Sequence, residues 1–227
     1  MSKPVKILWP VTNTQAVCLN QTLGAAGYLD INGSLASDIN NPPRFVKFDN
    51  IARQITLTST ANLSGIQFTI IGLDEYGNSD VVQINGPNNN TVNTGASLFS
   101  VVQSVFANAA VGTNVSVGTG TVGATVWIRS DYQRSVNNFV VSVDVTGTIN
   151  YSFETVLYDP NLLEGDAIIH PIDGVTIPTI PTATPMTNCT VDCTASYNFP
   201  THSSRIYVNS SDGTGSLKIY FIQQGIT

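Results

Sequence analysis

The run Phe139-Val-Val-Ser-Val-Asp-Val-Thr-Gly-Thr-Ile-Asn-Tyr-Ser-Phe-Glu-Thr-Val156 decides the fold class. Val141, Val143, Val145, Ile149, Tyr151 and Phe153 take odd positions, while Ser142, Asp144, Thr146, Asn150 and Ser152 lie between them. Successive side chains of a strand point to opposite faces, so period-two alternation means two strands with one face in a core. A slip of one residue would turn the whole apolar set to water, and the register is strongly specified for that reason. Gly147 marks a turn between the two runs, and the phrase reads as a β-hairpin.

The chain writes this phrase twice more. Arg53-Gln-Ile-Thr-Leu-Thr-Ser59 turns through Thr60-Ala-Asn-Leu-Ser-Gly65 into Ile66-Gln-Phe-Thr-Ile-Ile-Gly72. Arg205-Ile-Tyr-Val-Asn-Ser-Ser211 turns through Asp212-Gly-Thr-Gly215 into Ser216-Leu-Lys-Ile-Tyr-Phe-Ile222. Three hairpins predict an all-β protein of two β-sandwich, jelly-roll-like modules. Residues 1–42 read as an extended N-terminal arm and a first strand pair, with Leu29 and Ile31 alternating against Tyr28, Asp30 and Asn32. Asn40-Asn-Pro-Pro43 breaks the pattern, because consecutive prolines cannot donate to a ladder. Residues 43–120 are the first module, with Asp74-Glu-Tyr-Gly-Asn78 a turn into Val81-Val-Gln-Ile84. Residues 121–227 are the second, and Gly118-Thr-Gly-Thr-Val-Gly123 reads as the junction. Leu98–Phe106 is ambiguous between helical spacing and alternation; its valines favour strand, with a single helix the alternative. The second module carries a long irregular insert over 159–200, punctuated by Pro160, Pro171, Pro178, Pro181 and Pro185. An insert of that length belongs to function or to packing along a neighbour. Its Ile172, Ile177 and Ile180 are therefore candidate interface residues.

Composition narrows the function classes. The chain has 227 residues, of which 42% are apolar and only 11% charged. That is enough apolar material for a real core and too little charge for a disordered chain. Four Lys and three Glu leave little to build exposed helix faces. A net charge of −6 with nine basic residues argues against a nucleic-acid partner, which needs clustered cations. The nearest approach, Arg44, Lys47 and Arg53, reads as decoration of one strand and its approach. No segment has the pattern of a signal peptide or the roughly 20 apolar residues of a membrane span, so synthesis in a cytoplasm without an export address is expected.

Chemistry-bearing constellations are few. Cys189 and Cys193 with His170 and His202 form the one metal-like set, since zinc accepts two thiolates and two imidazoles. The histidine spacing is unmatched, and the competing reading is two small buried thiols on a strand. Cys18 makes the cysteine count odd, which gives no disulfide framework. Neither histidine falls beside a nucleophile in a recognisable pattern. Glu75, Glu154 and Glu164 single out no acid–base pair. The glycines of 118–123 lack the Lys of a phosphate loop. No catalytic residue and no cofactor are expected. Trp127, in Val126-Trp-Ile128, reads as core rather than as a carbohydrate platform. Trp9, in the Pro-bounded arm, is either an anchor in a neighbour's pocket or a staple of the arm to its own domain.

The order of these phrases resembles a group of tailed-bacteriophage virion proteins. Gly27-Tyr-Leu-Asp-Ile-Asn-Gly-Ser-Leu35, Leu63-Ser-Gly-Ile-Gln-Phe-Thr-Ile-Ile-Gly-Leu-Asp74 and Ile84-Asn-Gly-Pro-Asn-Asn-Asn90 carry the first half of the likeness. Val115-Ser-Val-Gly-Thr119, Val145-Thr-Gly-Thr-Ile-Asn-Tyr151, Asp159-Pro160 and Tyr197-Asn-Phe-Pro200 carry the second. The Pro-rich 171–185 stretch and the Cys189/Cys193 pair depart from it. What the resemblance implies is a non-enzymatic structural component of a virion. The leading expectation is a capsid decoration, or cement, protein on the outside of the head shell. It would be a homo-oligomer, such as a trimer, contacting the major capsid protein or other virion proteins. A tail, collar or head–tail junction protein is the alternative within the class, and a glycan-binding receptor-recognition module the alternative from another.

Overall fold

The alternating runs are strands, and the antiparallel sheets they make enclose the core. The computed structural model describes residues 5–37, 44–129, 138–156, 170–171, 187–197 and 202–224. In chain order the strands are β1 (Val5–Trp9), β2 (Cys18–Leu23), β3 (Gly27–Tyr28), β4 (Val46–Lys47), β5 (Ile51–Ser59), β6 (Gln67–Asp74), β7 (Ser79–Asn85) and β8 (Val92–Ala107). There follow β9 (Val111–Thr125), β10 (Ile128–Arg129), β11 (Asn138–Thr146), β12 (Ile149–Val156), β13 (His170–Pro171), β14 (Cys193–Tyr197), β15 (Ser203–Ser211) and β16 (Ser216–Gln224). No helix occurs among the described residues, and the fold class is all-β, of β-sandwich type. The chain divides into two units, one of Met1–Val11 with Ala124–Thr227 and one of Thr12–Gly123.

In the first unit, one sheet has the order β1-β16-β11-β14. A second sheet places β12 between β13 and β15, with β10 also on β15. The run quoted at the outset does not close on itself. β11 pairs with β16 from Asn138↔Gln224 to Thr146↔Ser216, whereas β12 pairs with β15. Gly147 and Thr148 therefore carry the chain from one sheet to the other, and Asp212–Gly215 carries it back from β15 to β16. Both predicted hairpins are arches. Alternation says which face of a strand is buried and is silent about which strand supplies the hydrogen bonds. In an arch the buried faces of both strands meet between the sheets. Val141, Val143, Tyr151, Phe153, Ile206, Val208, Leu217, Ile219 and Phe221 do so, none more than 2% exposed. The Phe153 and Phe221 rings lie 6.5 Å apart across that core.

In the second unit the sheet order is β9-β5-β8-β6-β7, with β2 along β9 and both β3 and β4 along β8. β5 and β6 each pair with β8 rather than with one another, so the first predicted hairpin is not one either. The β6–β7 pair is a hairpin, closed where Asp74–Asn78 was expected to turn. Asp74 Oδ1 accepts the N–H groups of Tyr76 and Asn78, each at 2.8 Å, and Gly77 supplies a φ of 87°. Leu98–Phe106 lies within the strand β8. Its register against β6 shifts between Ile71 and Gly72 and again between Leu73 and Asp74. Each bulge advances the buried face by a residue, and this is what imitates helical spacing in the sequence. The glycines expected as a junction lie inside β9, and the boundary between the two units falls at their end, between Gly123 and Ala124.

The N-terminal residues are not an arm of their own. β1 is an edge strand of the first unit, paired with β16 from Val5↔Phe221 to Trp9↔Leu217. β2 and β3, expected as a strand pair, each join a different strand, β9 and β8. Leu29 and Ile31 are buried at 4% and 5% exposure, as their alternation requires.

Candidate interaction surface

Core-facing residues of β6 and β7 leave Thr69, Ile71 and Leu73, and Val81 and Gln83, on the opposite face of the sheet. β8 continues that face through Val101 and Phe106, β4 through Lys47, and β3 through Tyr28, which pairs with Phe106. Polar residues would be ordinary here. Instead Tyr28 is 63% exposed, Val81 59% and Phe45 41%. Tyr28 packs edge-on against Phe106 with ring centroids 5.1 Å apart. A groove of about 350 Å³ opens on the same face, lined by Arg44, Phe45, Val101 and Gln103. Arg44 Nε is buried there without a hydrogen-bond partner. The patch combines aromatic rings, branched aliphatics and a cation, the composition of a protein-contact surface.

At one margin β7 is an edge strand, paired only with β6 among the described strands. The N–H of Val81 is taken by the Asp80 carboxylate at 2.8 Å, which blunts that edge against casual strand addition.

Two buried arginines hold structure rather than offer charge. Arg53, expected on the surface with Arg44 and Lys47, is 1% exposed and donates from Nη2 to the carbonyl of Gly120 at 2.6 Å. Burial lowers its pKa to about 10. Arg205, 2% exposed, donates from Nε to Glu154 Oε2 at 2.6 Å, opposite it in the β12–β15 register. Its guanidinium lies 4.4 Å from the centroid of the Trp127 ring and 5.5 Å from that of Tyr207. One face of Trp127 is thus occupied by a cation of its own chain and does not form an open sugar platform.

The other expected site residues fall as follows. Trp9 is 1% exposed at the end of β1, opposite Leu217 of β16, the placement that a staple of the arm would have. Ile172, Ile177 and Ile180 lie outside the described residues. Of the metal-like set, His170 pairs through its backbone with Thr155 in β13, and His202 Nδ1 hydrogen-bonds to Ser203 Oγ at 2.8 Å. Cys189 and Cys193 are partly exposed thiols beside one another. No group of three or more metal-ligating side chains assembles among the described residues. Cys18 is fully buried, and burial first, then the nearby charge of Asp30, pushes its thiol up to about 12.

The outward face was missed in the sequence although it left a signal. Ile70-Ile71, Val81-Val82 and Val101-Val102 double an apolar residue where strict alternation would set a polar one. Three neighbouring strands with apolar residues on both faces mean a sheet covered on one side by its own core and available on the other. No family model matches this sequence, and no curated protein does.

Proposed function

We propose that this chain is a structural protein of a tailed-bacteriophage particle, a capsid decoration protein that adheres to the outside of the head shell and catalyses nothing. The observation that carries the reading is the outward face of the second unit, where Tyr28, Phe45 and Val81 stand exposed on a sheet already packed from behind. A surface presented on paired strands loses little further entropy on docking, which favours many modest contacts over one tight one. Self-association into a homo-oligomer multiplies such contacts and raises avidity without new chemistry. The low charge of the chain, 11% of residues, and the ordered phrases that resemble virion proteins support the same conclusion.

Quantitative mass spectrometry of purified particles tests it. A decoration protein is present at a copy number comparable with that of the shell subunit. A small fraction of that number assigns the chain to a tail, collar or junction. Absence from purified particles removes the virion reading altogether.

A further inference from the structure

Cys193 opens β14 and pairs with Val143 of β11, in one sheet of the first unit. Cys189 is bridged to Tyr151 of β12, in the other sheet. Its N–H donates to the Tyr151 carbonyl at 2.8 Å, and the Tyr151 N–H donates to its carbonyl at 2.9 Å. Residues 189–193 are therefore a strap between the two layers. Two more bonds seat it: the Val145 N–H donates to Asp192 Oδ1 at 2.6 Å, and Tyr151 Oη donates to the Val191 carbonyl at 2.9 Å. Both thiols are partly exposed and lie within hydrogen-bond reach of one another. Two sulfurs in mutual contact, each on backbone clamped to a different sheet, are more than two thiols on one strand.

We propose that Cys189 and Cys193 are a dithiol modification site, closed by a small-molecule disulfide into an intramolecular bond that ties the strap across both sheets. Burial raises both thiols above the ordinary cysteine value, and hydrogen bonding with Cys189 offsets part of that rise at Cys193 alone, so Cys193 is the attacking sulfur. Its thiolate attacks one sulfur of oxidised glutathione, forms a mixed disulfide and expels one glutathione thiolate. The Cys189 thiolate then attacks Sγ of Cys193, forms the protein disulfide and expels the second. Two protein thiols are oxidised, one glutathione disulfide is reduced to two thiols, and the two protons pass to the glutathione thiolates through water. A reducing cytosol keeps the strap open, and an oxidising medium closes it. Cys18, fully buried with its thiol pushed to about 12, takes no part and serves as an internal reference. The inference stands on the strap alone and does not depend on the virion reading.

The purified, reduced full-length chain is titrated with oxidised glutathione and followed by thiol count, intact mass and peptide mapping. The expected product has lost two of its three thiols and the mass of two hydrogens, with Cys189 joined to Cys193 and Cys18 still reduced. Exchange of the Tyr151 and Val145 amides slows by about tenfold on closure, because local opening of the strap is blocked. Cys189→Ser stops at the glutathione adduct on Cys193. A persistent adduct on the unaltered chain, a disulfide-linked dimer, or three thiols surviving excess oxidant would each overturn the proposal.

Discussion

Gly147 and Gly215 meet at the apices of the two arches: a Cβ on Gly147 would stand 2.9 Å from the Cα of Gly215. Sheet pairing of β11 with β16 and of β12 with β15 stacks one arch on the other, leaving no room for a side chain where they cross. Gly147 also has a φ of 79°, which L side chains rarely adopt. Gly147→Ala is expected to cost about 1–3 kcal/mol. The check is a lower urea midpoint with an unchanged denaturant slope, and an unaltered midpoint would contradict the packing described.

Arg205 and Glu154 set up an asymmetric response. With Arg205 2% exposed, Glu154→Gln leaves a buried guanidinium without its carboxylate and should cost about 3 kcal/mol. The double change Glu154→Leu with Arg205→Met removes both charges and should recover at least half of that loss. A double-mutant cycle on unfolding free energies measures the coupling. Additive effects would mean that the pair does not act as a unit.

Alkaline unfolding should report Cys18. Its folded pKa is raised from 9.0 to about 12, so its contribution is complete below pH 9 and is lost as pH rises toward 12. Arg53 has the opposite sign. Its folded pKa is lowered from 12.5 to about 10, so the cost of burying its charge is relieved only above pH 10. Between pH 9 and 10 the Cys18 contribution falls by about 1 kcal/mol per pH unit. Cys18→Ala should flatten the measured slope by about that amount. An equal slope in the variant would show that other groups govern this range.

Trp9 closes β1 onto its sheet at 1% exposure. Trp9→Ala should cost about 3–5 kcal/mol through the cavity left behind. Calorimetry of the isolated protein reads this directly. A midpoint unchanged by the substitution would return Trp9 to the role of an external anchor.

The outward face predicts the reverse pattern. Tyr28→Ser combined with Val81→Ser removes two exposed apolar side chains and should shift folding stability by no more than about 0.5 kcal/mol each. Occupancy on particles, by pull-down and mass spectrometry, should drop severalfold. Full occupancy with both residues changed would dismiss this face as the docking side.

The candidate surface was only partly legible. Doubled apolar residues at Ile70-Ile71, Val81-Val82 and Val101-Val102 announce apolar material on both sides of a sheet. That these strands lie side by side, and that Phe45 and Tyr28 join them, depends on β3 and β4 docking along β8. Two-residue strands carry too little pattern to read. Arg53 shows the opposite limit: its charge reads as surface, yet the Gly120 carbonyl, 67 positions along the chain, helps hold it inside.

Alternation alone determined that this chain is sheet and, in the runs that carry it, which side chain of each residue pair is buried. Only the tertiary structure decided which strands are neighbours. Phe139–Val156 and Arg205–Gln224 have the pattern of hairpins, and both are arches whose strands belong to opposite layers. The reason is physical: burial is written into side chains at period two, whereas backbone N–H and C=O groups are nearly the same in every residue and accept whichever strand the packing brings alongside.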